Sequence, residues 1–372
     1  MENNTNNTTV VASGGVLLPD YTEYYENSFL LQIVVLGLFS AFGVAGNAVI
    51  LVTGFRRVLT NFRRSDFRSS QDYKPALIMN LAVADILILV YGVPFHFMQE
   101  TKVPLSEFVC RFLSPLRDVL ALTSILTIMA ISVERTIAVI SPFALKAAHR
   151  HTRCAITFIW ITAYLLVGLP MVFVMDSSEG DRQCYPMWKD HKLQLVHQTS
   201  AALLIVVPGL VTTFCYVFCL RALRKFRKRR QTSSSNTSIE RWTFVEQTRS
   251  VSRIALVLVG VYWLCNLPIV TFAICVHYNL IRLGAHVLFY IRAILICLFF
   301  GASVINPIVL IAMSPLYRRS ARGCLRYLFS KVNAIIRHRQ RSRSSYSSEA
   351  TNRLEHSSGA NVFALASRQQ LV

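Results

Sequence analysis

Seven stretches of this sequence stay apolar for about 20 residues or more, and they decide most of what the chain can become. They are Leu30–Phe55, Pro75–Met98, Phe108–Ile140, Cys154–Val174, Leu195–Leu220, Val251–Val276 and Val287–Ala312, numbered spans 1 to 7. About 20 helical residues cross the ~30 Å hydrocarbon core of a bilayer. Helices buried in a soluble core would need amphipathic neighbours to cover them, and the intervening sequence offers none. The expected fold is an all-α integral membrane protein, a seven-transmembrane helix bundle. A short amphipathic interfacial helix should come after it.

The charge lies between the spans. The chain is 53% hydrophobic yet carries a net charge of +20. If span 1 enters from outside, most of the 39 lysines and arginines fall on the inner side, in runs such as "RALRKFRKRR". Basic loops stay cytoplasmic, so the amino terminus is expected outside and the carboxyl terminus inside, in the plasma membrane. The sequons at Asn3, Asn6 and Asn7 agree with this, since glycosylation is a luminal event. Asn236 falls on the inner side and should stay bare. The segment lacks the features of a cleaved leader, so span 1 is expected to act as an uncleaved anchor. Topology and contact with anionic membrane lipids account for the basic bias without nucleic acid, for which no motif is present.

The chain divides into four regions: a glycosylated extracellular segment over 1–28, the bundle over 29–312, an amphipathic juxtamembrane helix over 313–330 and a disordered cytoplasmic tail over 331–372. In "SPLYRRSARGCLRYLF" the residues Leu316, Cys324 and Leu328 are spaced for one face. Cys324 is a palmitoylation candidate there, with an unmodified thiol as the alternative. "QTSSSNTS" and the Ser- and Arg-rich tail have little to bury. Of the nine cysteines, most lie in spans and serve as small apolar residues. Only Cys110, at the start of span 3, and Cys184, between spans 4 and 5, are placed for an oxidised bridge.

Polar residues inside a membrane are costly and usually face the bundle interior. Asn47 lies in span 1, Asp85 in span 2, Ser124, Glu134 and Arg135 in span 3, Trp160 in span 4, Pro208 in span 5, and Asn306 and Pro307 in span 7. Span 6 holds "YWLCNLPIV", with Asn266 and Pro268 near its middle. Both residues are ill-suited to an ordinary buried helix.

These residues carry a resemblance to the class A, rhodopsin-like, G-protein-coupled receptors, most of all the peptide receptors. "GN" in span 1, "NLAVAD" in span 2, the Cys110/Cys184 pair, "SVERTIAVISP" like the family's SxDRYxAIxxP, "CNLP" like CWxP and "NPIVL" like NPxxY stand in the right order. The likeness extends from about Ser28 to Phe329. It implies an extracellular ligand, expected to be a peptide, and a heterotrimeric G protein as inner partner. Arrestin and receptor kinases would act on the Ser-rich tail. It also implies that Asp85, Ser124 and Asn306 bind a sodium ion, the only cofactor-like group expected. The alternative is a protonated Asp85 hydrogen-bonded to Asn47 and Asn306. Glu134, Arg135, Tyr216, Asn266, Pro268, Asn306 and Pro307 would carry activation and coupling.

The chain departs from the family at Asn266, where tryptophan is usual, at Leu310, in place of the NPxxY tyrosine, and at Thr136, in place of the DRY tyrosine. The loop from Arg56 to Lys74 is longer than the family norm, and the first outer loop lacks its usual tryptophan. Asn266 is expected to join the Asp85 cluster. The departures leave open an atypical receptor that is constitutively active, or scavenges ligand without coupling. A transporter would show inverted repeats and broken helices, and neither these nor an enzyme motif occurs.

A helix repeats its face every 3.6 residues. Arg117 lies five turns before Arg135, Arg292 about four turns before Asn306, and His96 about three turns after Asp85. These cations point inward near the outer mouth, and with Ala121 and Ile296 they are the candidate ligand contacts. Arg117 stands where the family's amine receptors have aspartate, which disfavours amines and favours an acidic group or peptide carboxylate. Internal pairing with Asp118, Glu100, Asp176, Glu179 or Asp181 is the alternative. "DYTEYYEN" sets tyrosines beside acids, compatible with sulfation and peptide binding.

Overall fold

The structure, a computed structural model, describes residues 10–11, 17–18, 22–63, 76–101, 103–177, 184–231, 238–278, 280–281, 283–327, 329–337 and 339–340. Among these, seven helices are long and apolar enough to cross a bilayer: Phe29–Thr60, Ala76–Glu100, Val109–Ile140, His151–Val172, Lys192–Ala222, Leu256–Val276 and Tyr290–Met313. They coincide in order with spans 1 to 7, so the chain is a multi-pass α-helical membrane protein. Helix continues beyond the apolar part in several places. Span 1 belongs to a helix over Thr22–Arg63, span 5 to one over His191–Gln231 and span 6 to one over Ser238–His277. Outside the bilayer a helix needs no apolar residues, so hydropathy finds the crossing and not the helix ends. The boundary expected at residue 28 therefore falls inside a helix. Asn3, Asn6, Asn7, Glu179 and Asp181 lie outside the described residues.

Span 3 is the central post. It packs against spans 2, 4 and 5 and touches span 6, while span 1 packs on spans 2 and 7 and span 6 closes the ring between 5 and 7. Half or more of the most apolar window is buried in spans 2, 3 and 7 (61%, 56% and 50%), against 22% in spans 1, 4 and 5. The outer spans expose their apolar residues, as at Phe42, Phe158 and Phe214. That exposure suits a hydrocarbon solvent.

Three spans are not uniform α-helix. Ile88–Gly92, Val109–Leu113 and Tyr164–Gly168 form wider, π-helical turns, each ending two residues before a proline: Pro94, Pro115 and Pro170. The residue just before each proline bonds five residues back: Val93 to Ile88, Ser114 to Val109, Leu169 to Tyr164. Proline has no N–H and its ring presses on the preceding turn, so the ladder loosens there by one residue. Pro208, Pro268 and Pro307 lie inside long helices instead.

A disulfide joins Cys110 to Cys184 across 74 residues. It fixes the antiparallel pair Met175–Ser177 and Cys184–Pro186 over the start of span 3. Phe95, Leu105, Met171 and Met175 pack around it. A second compact unit begins at Arg319. It is helical at 319–327 and 329–337. Backbone expected to be disordered from 331 is thus helical to 337, because "VNAII" keeps apolar residues at helical spacing. Leu328 is not among the described residues, and neither are 232–237 nor the tail beyond 340.

Candidate functional site

Asp85 is fully buried in span 2 and receives three hydrogen bonds. Ser124 Oγ of span 3 and Ser303 Oγ of span 7 donate to Oδ1, at 3.1 and 2.9 Å, and Asn306 Nδ2 donates to Oδ2 at 3.2 Å. Asn47 does not touch the carboxylate. Its amide donates to the carbonyls of Gly43 and Ser303, each at 3.0 Å, and so holds Ser303 in place. The sequence alone does not single out Ser303, although it lies one turn before Asn306 on the same face. All of Asp85's partners here are neutral donors, a costly arrangement for an ionised carboxylate in a dry interior.

Beside the cluster lies a cavity offering about 30 Å³ to water-sized occupants, lined in part by Ala121, Ser124, Asn266, Ser303 and Asn306. That is room for a water or a small ion. Ala121 therefore faces this cavity. Ile296 is half-buried against the neighbouring apolar cluster of Leu36, Leu89, Val93 and Phe300.

Asn266 faces the same cavity, yet its amide donates to the Tyr262 carbonyl of its own helix at 2.9 Å. The expected direct bond to Asp85 is absent, because one turn of backbone lies closer than the carboxylate. The polar link out of span 6 comes from its neighbours. The Tyr262 hydroxyl donates to the Ile205 carbonyl, and Trp263 Nε1 donates to Thr213 Oγ1 at 3.0 Å. Ile205 lies in the turn before Pro208, next to Leu204, whose carbonyl the proline, having no N–H, leaves without its usual helical donor. Gly209 permits the approach. A Cβ there would lie 2.6 Å from Tyr262 Cε1 and 2.8 Å from Trp263 Cζ2. Span 6 is thus latched to the proline step of span 5.

At the disulfide end, His96, Arg117 and Arg292 are each met by protein groups. His96 Nε2 lies 2.9 Å from Gln32 Oε1 of span 1, and its ring sits near Phe300. Arg292, 54% exposed on its side chain, pairs with Glu100, only 9% exposed, and Glu100 also lies 3.9 Å from His96 Nδ1. Arg117 pairs with Asp118 at 3.1 Å and reaches Gln99 at 3.5 Å. Arg111 bridges Glu107 and Asp176 at 2.8 and 3.2 Å, tying span 3 to the hairpin. Internal pairing, one of the two expectations, is what the side chains adopt. The widened turn at 88–92 lies between Asp85 and His96, and one extra residue in a turn rotates the rest of the helix by about 100°. His96 accordingly meets span 1 and does not stand directly above Asp85.

At the opposite end, Glu134 and Arg135 pair at 3.3 Å with side chains 9% and 16% exposed. Thr136 Oγ1 donates to the Cys215 carbonyl at 3.0 Å, joining span 3 to span 5 beside the half-buried Tyr216. Leu310 is buried with Ile50, Leu77 and Tyr317, so an apolar contact occupies the tyrosine's usual position. Trp160 Nε1 donates to Asn80, which donates to Thr127, binding spans 2, 3 and 4. Cys324 is an exposed thiol.

A charged, disulfide-capped end, a carboxylate cluster at mid-bundle and an ion pair at the far end describe a bundle built to connect its two faces. The family model of the seven-transmembrane receptors of the rhodopsin family matches residues 58–310. The chain belongs to that family. The receptor is therefore a signalling protein and not an enzyme. It is similar to the Tachykinin-like peptides receptor 86C of Drosophila melanogaster, 25% identical over 71% of this chain and 53% of that receptor. It is also similar to the Galanin receptor type 1 of Mus musculus, 26% identical over 78% and 80% of the two chains. A third relative is the Neuropeptide S receptor of Homo sapiens, 21% identical over 78% of each. The receptor thus spans about half the length of the first relative and about four fifths of the others.

Proposed function

We propose that this receptor stands in the plasma membrane with its amino terminus outside, binds an extracellular peptide at the disulfide end and activates heterotrimeric G proteins at the Glu134–Arg135 end. The observation that carries the reading is the alignment of the two charged ends along span 3. Arg117 and Arg135 lie on one uninterrupted helix, Leu116–Ile140, with Ser124 bonded to Asp85 between them. Relatives named for tachykinin-like peptides, galanin and neuropeptide S support the peptide class. Arginines at the mouth support an acidic group on that peptide. Arg292 is the accessible one, since its side chain is half exposed while its partner Glu100 is buried.

The central donor set fits a small monovalent cation. Asp85 supplies the charge, Ser124 and Ser303 present hydroxyl oxygens to the same carboxylate oxygen, and the adjoining cavity gives room. A bound sodium ion would neutralise Asp85 and favour one arrangement of spans 2, 3 and 7. Cys324, exposed after span 7, is the acylation candidate, and the Ser-rich tail is the substrate of receptor kinases and the docking segment for arrestin.

The deciding experiment is a peptide-library screen in cells that report several G-protein pathways, with arrestin recruitment read in parallel. A peptide that raises G-protein signalling through this receptor supports the reading. Arrestin recruitment with no G-protein response to any binding peptide overturns the coupling half of it.

A further inference from the structure

Glu100 is poorly placed for a carboxylate on two counts. It is the last residue of the helix Val93–Glu100, and the carbonyl end of a helix repels an anion. Its side chain is also only 9% exposed, and a carboxylate withdrawn from water needs close compensation. Much of that compensation comes from cations on other spans. Arg292 of span 7 donates to Glu100 Oε1, and Arg117 of span 3 lies within electrostatic reach of Glu100. His96, one turn earlier on the same helix, brings Nδ1 to 3.9 Å from the same oxygen. The three groups that the sequence offers to an incoming acid thus gather round an acid of the chain itself.

Neither arginine needs this carboxylate for its own sake. Arg292 is half exposed and can be hydrated instead, and Arg117 has Asp118 at 3.1 Å. The two arginines and their two carboxylates cancel, so together they leave the mouth without net charge. A basic group on a ligand would have to pass the more exposed Arg292 to reach Glu100, against the repulsion of both arginines. An acidic group meets Arg292 first. It can take over the guanidinium while Glu100, at the helix end and held there against the helix dipole, turns away.

We propose that Glu100 is an internal stand-in for the ligand's carboxylate, holding Arg292 until an acidic group of an incoming peptide takes its place. Ligand contact and internal pairing are then two states of one site. Glu100 sets how acidic a peptide must be to enter, because every acid that binds Arg292 competes with it. The inference rests on the reading of an acidic peptide bound at the disulfide end.

The test uses the full receptor in lipid nanodiscs and two pools of carboxyl-amidated synthetic peptides, identical except that one fixed position is Glu in the first and Gln in the second. Peptide retained at equilibrium is read by mass spectrometry, and the melting temperature of each variant reports its folding. Glu100→Gln keeps the side chain's size and removes its charge. That variant should retain the Glu pool at least about fivefold better than the wild type does, because a like charge beside the incoming acid has gone. Its retention of the Gln pool should not change. Glu100→Asp keeps the charge and withdraws it by one methylene, so it should give a smaller gain of the same sign. Arg292→Gln, alone or with Glu100→Gln, should abolish the advantage of the Glu pool. A Glu pool held equally or less well when Glu100 is replaced overturns the stand-in and makes Glu100 a structural or ligand-contacting residue. A Glu pool held no better than the Gln pool by any form of the receptor overturns the acidic-peptide reading itself, and the inference with it.

Discussion

The two polar regions of this receptor are wired differently. Around Asp85, donors from spans 3 and 7 converge on one carboxylate, and Asn47 holds one donor in place through its backbone. At the disulfide end, each arginine has a carboxylate of its own: Arg117 with Asp118, Arg292 with Glu100, Arg111 with Glu107 and Asp176. A convergent cluster fails as a unit. A set of separate pairs can be rearranged one at a time, which is what a site that accepts ligands requires.

The largest test bears on what the paired end is built upon. Cys110→Ser removes a bridge spanning 74 residues. Chain entropy gives such a bridge up to about 4 kcal/mol, and less here, because the spans stay inserted when the bundle loosens. Surface expression and ligand binding should both fall sharply, and normal binding by the mutant would refute the tether.

Asp85→Ala comes next. It orphans Ser124, Ser303 and Asn306 at once, and buried donors left unsatisfied cost about 1–3 kcal/mol each before relaxation. A large drop in melting temperature is expected. Ser124→Ala and Ser303→Ala should be non-additive by about 0.5 kcal/mol or more. Additivity in that cycle would mean the cluster is not convergent.

For the pairs, Arg117→Ala should leave abundance and melting temperature nearly unchanged, because ion pairs exposed on both sides contribute about 0–1 kcal/mol. Arg292→Ala also strips the nearly buried Glu100 of the Arg292 cation and should lower the melting temperature. Each should raise the half-maximal concentration of the peptide from the screen more than tenfold. Normal responses in both would make these residues structural only.

Tyr262→Phe deletes the hydroxyl held by the Ile205 carbonyl and should cost about 1 kcal/mol. If the latch restrains span 6, basal signalling should also rise, and Gly209→Ala should do the same by pushing the ring away. The smallest effect sharpens the boundary of the convergent cluster. Asn266→Leu and Asp85→Asn should add within about 0.5 kcal/mol, since the Asn266 amide bonds its own helix. Strong coupling would place Asn266 inside the cluster after all, through the shared cavity.

The spans, the bridge and the set Asp85, Ser124 and Asn306 were legible in the sequence, because hydropathy, cysteine placement and polar residues in lipid are strong local signals. The expectation that Arg117 and Arg292 share faces with Arg135 and Asn306 rests on long helices without widened turns, and both helices meet that condition. The same count for His96 crosses a π-helical turn, and the side chain is nevertheless buried, beside the carboxylate that pairs with Arg292. Partner choice was not legible: Gln32 beside His96, Ser303 on Asp85 and Ile205 under Tyr262 are joined only when distant spans pack. Asn266 illustrates the limit. Its residue type announced a buried polar requirement, and only the backbone geometry shows that its own preceding turn meets it.

The widened turns before Pro94, Pro115 and Pro170 also bear on how such a protein can change over generations. Each is a place where one residue can be gained or lost without breaking the helix, and everything beyond it swings by about 100°. Residues before the turn keep their neighbours. A single-codon deletion between Ile88 and Gly92 would thus re-aim His96 and Glu100 while leaving Asp85 where it is. Ligand preference can drift in this architecture by length changes inside helices, with the interior untouched.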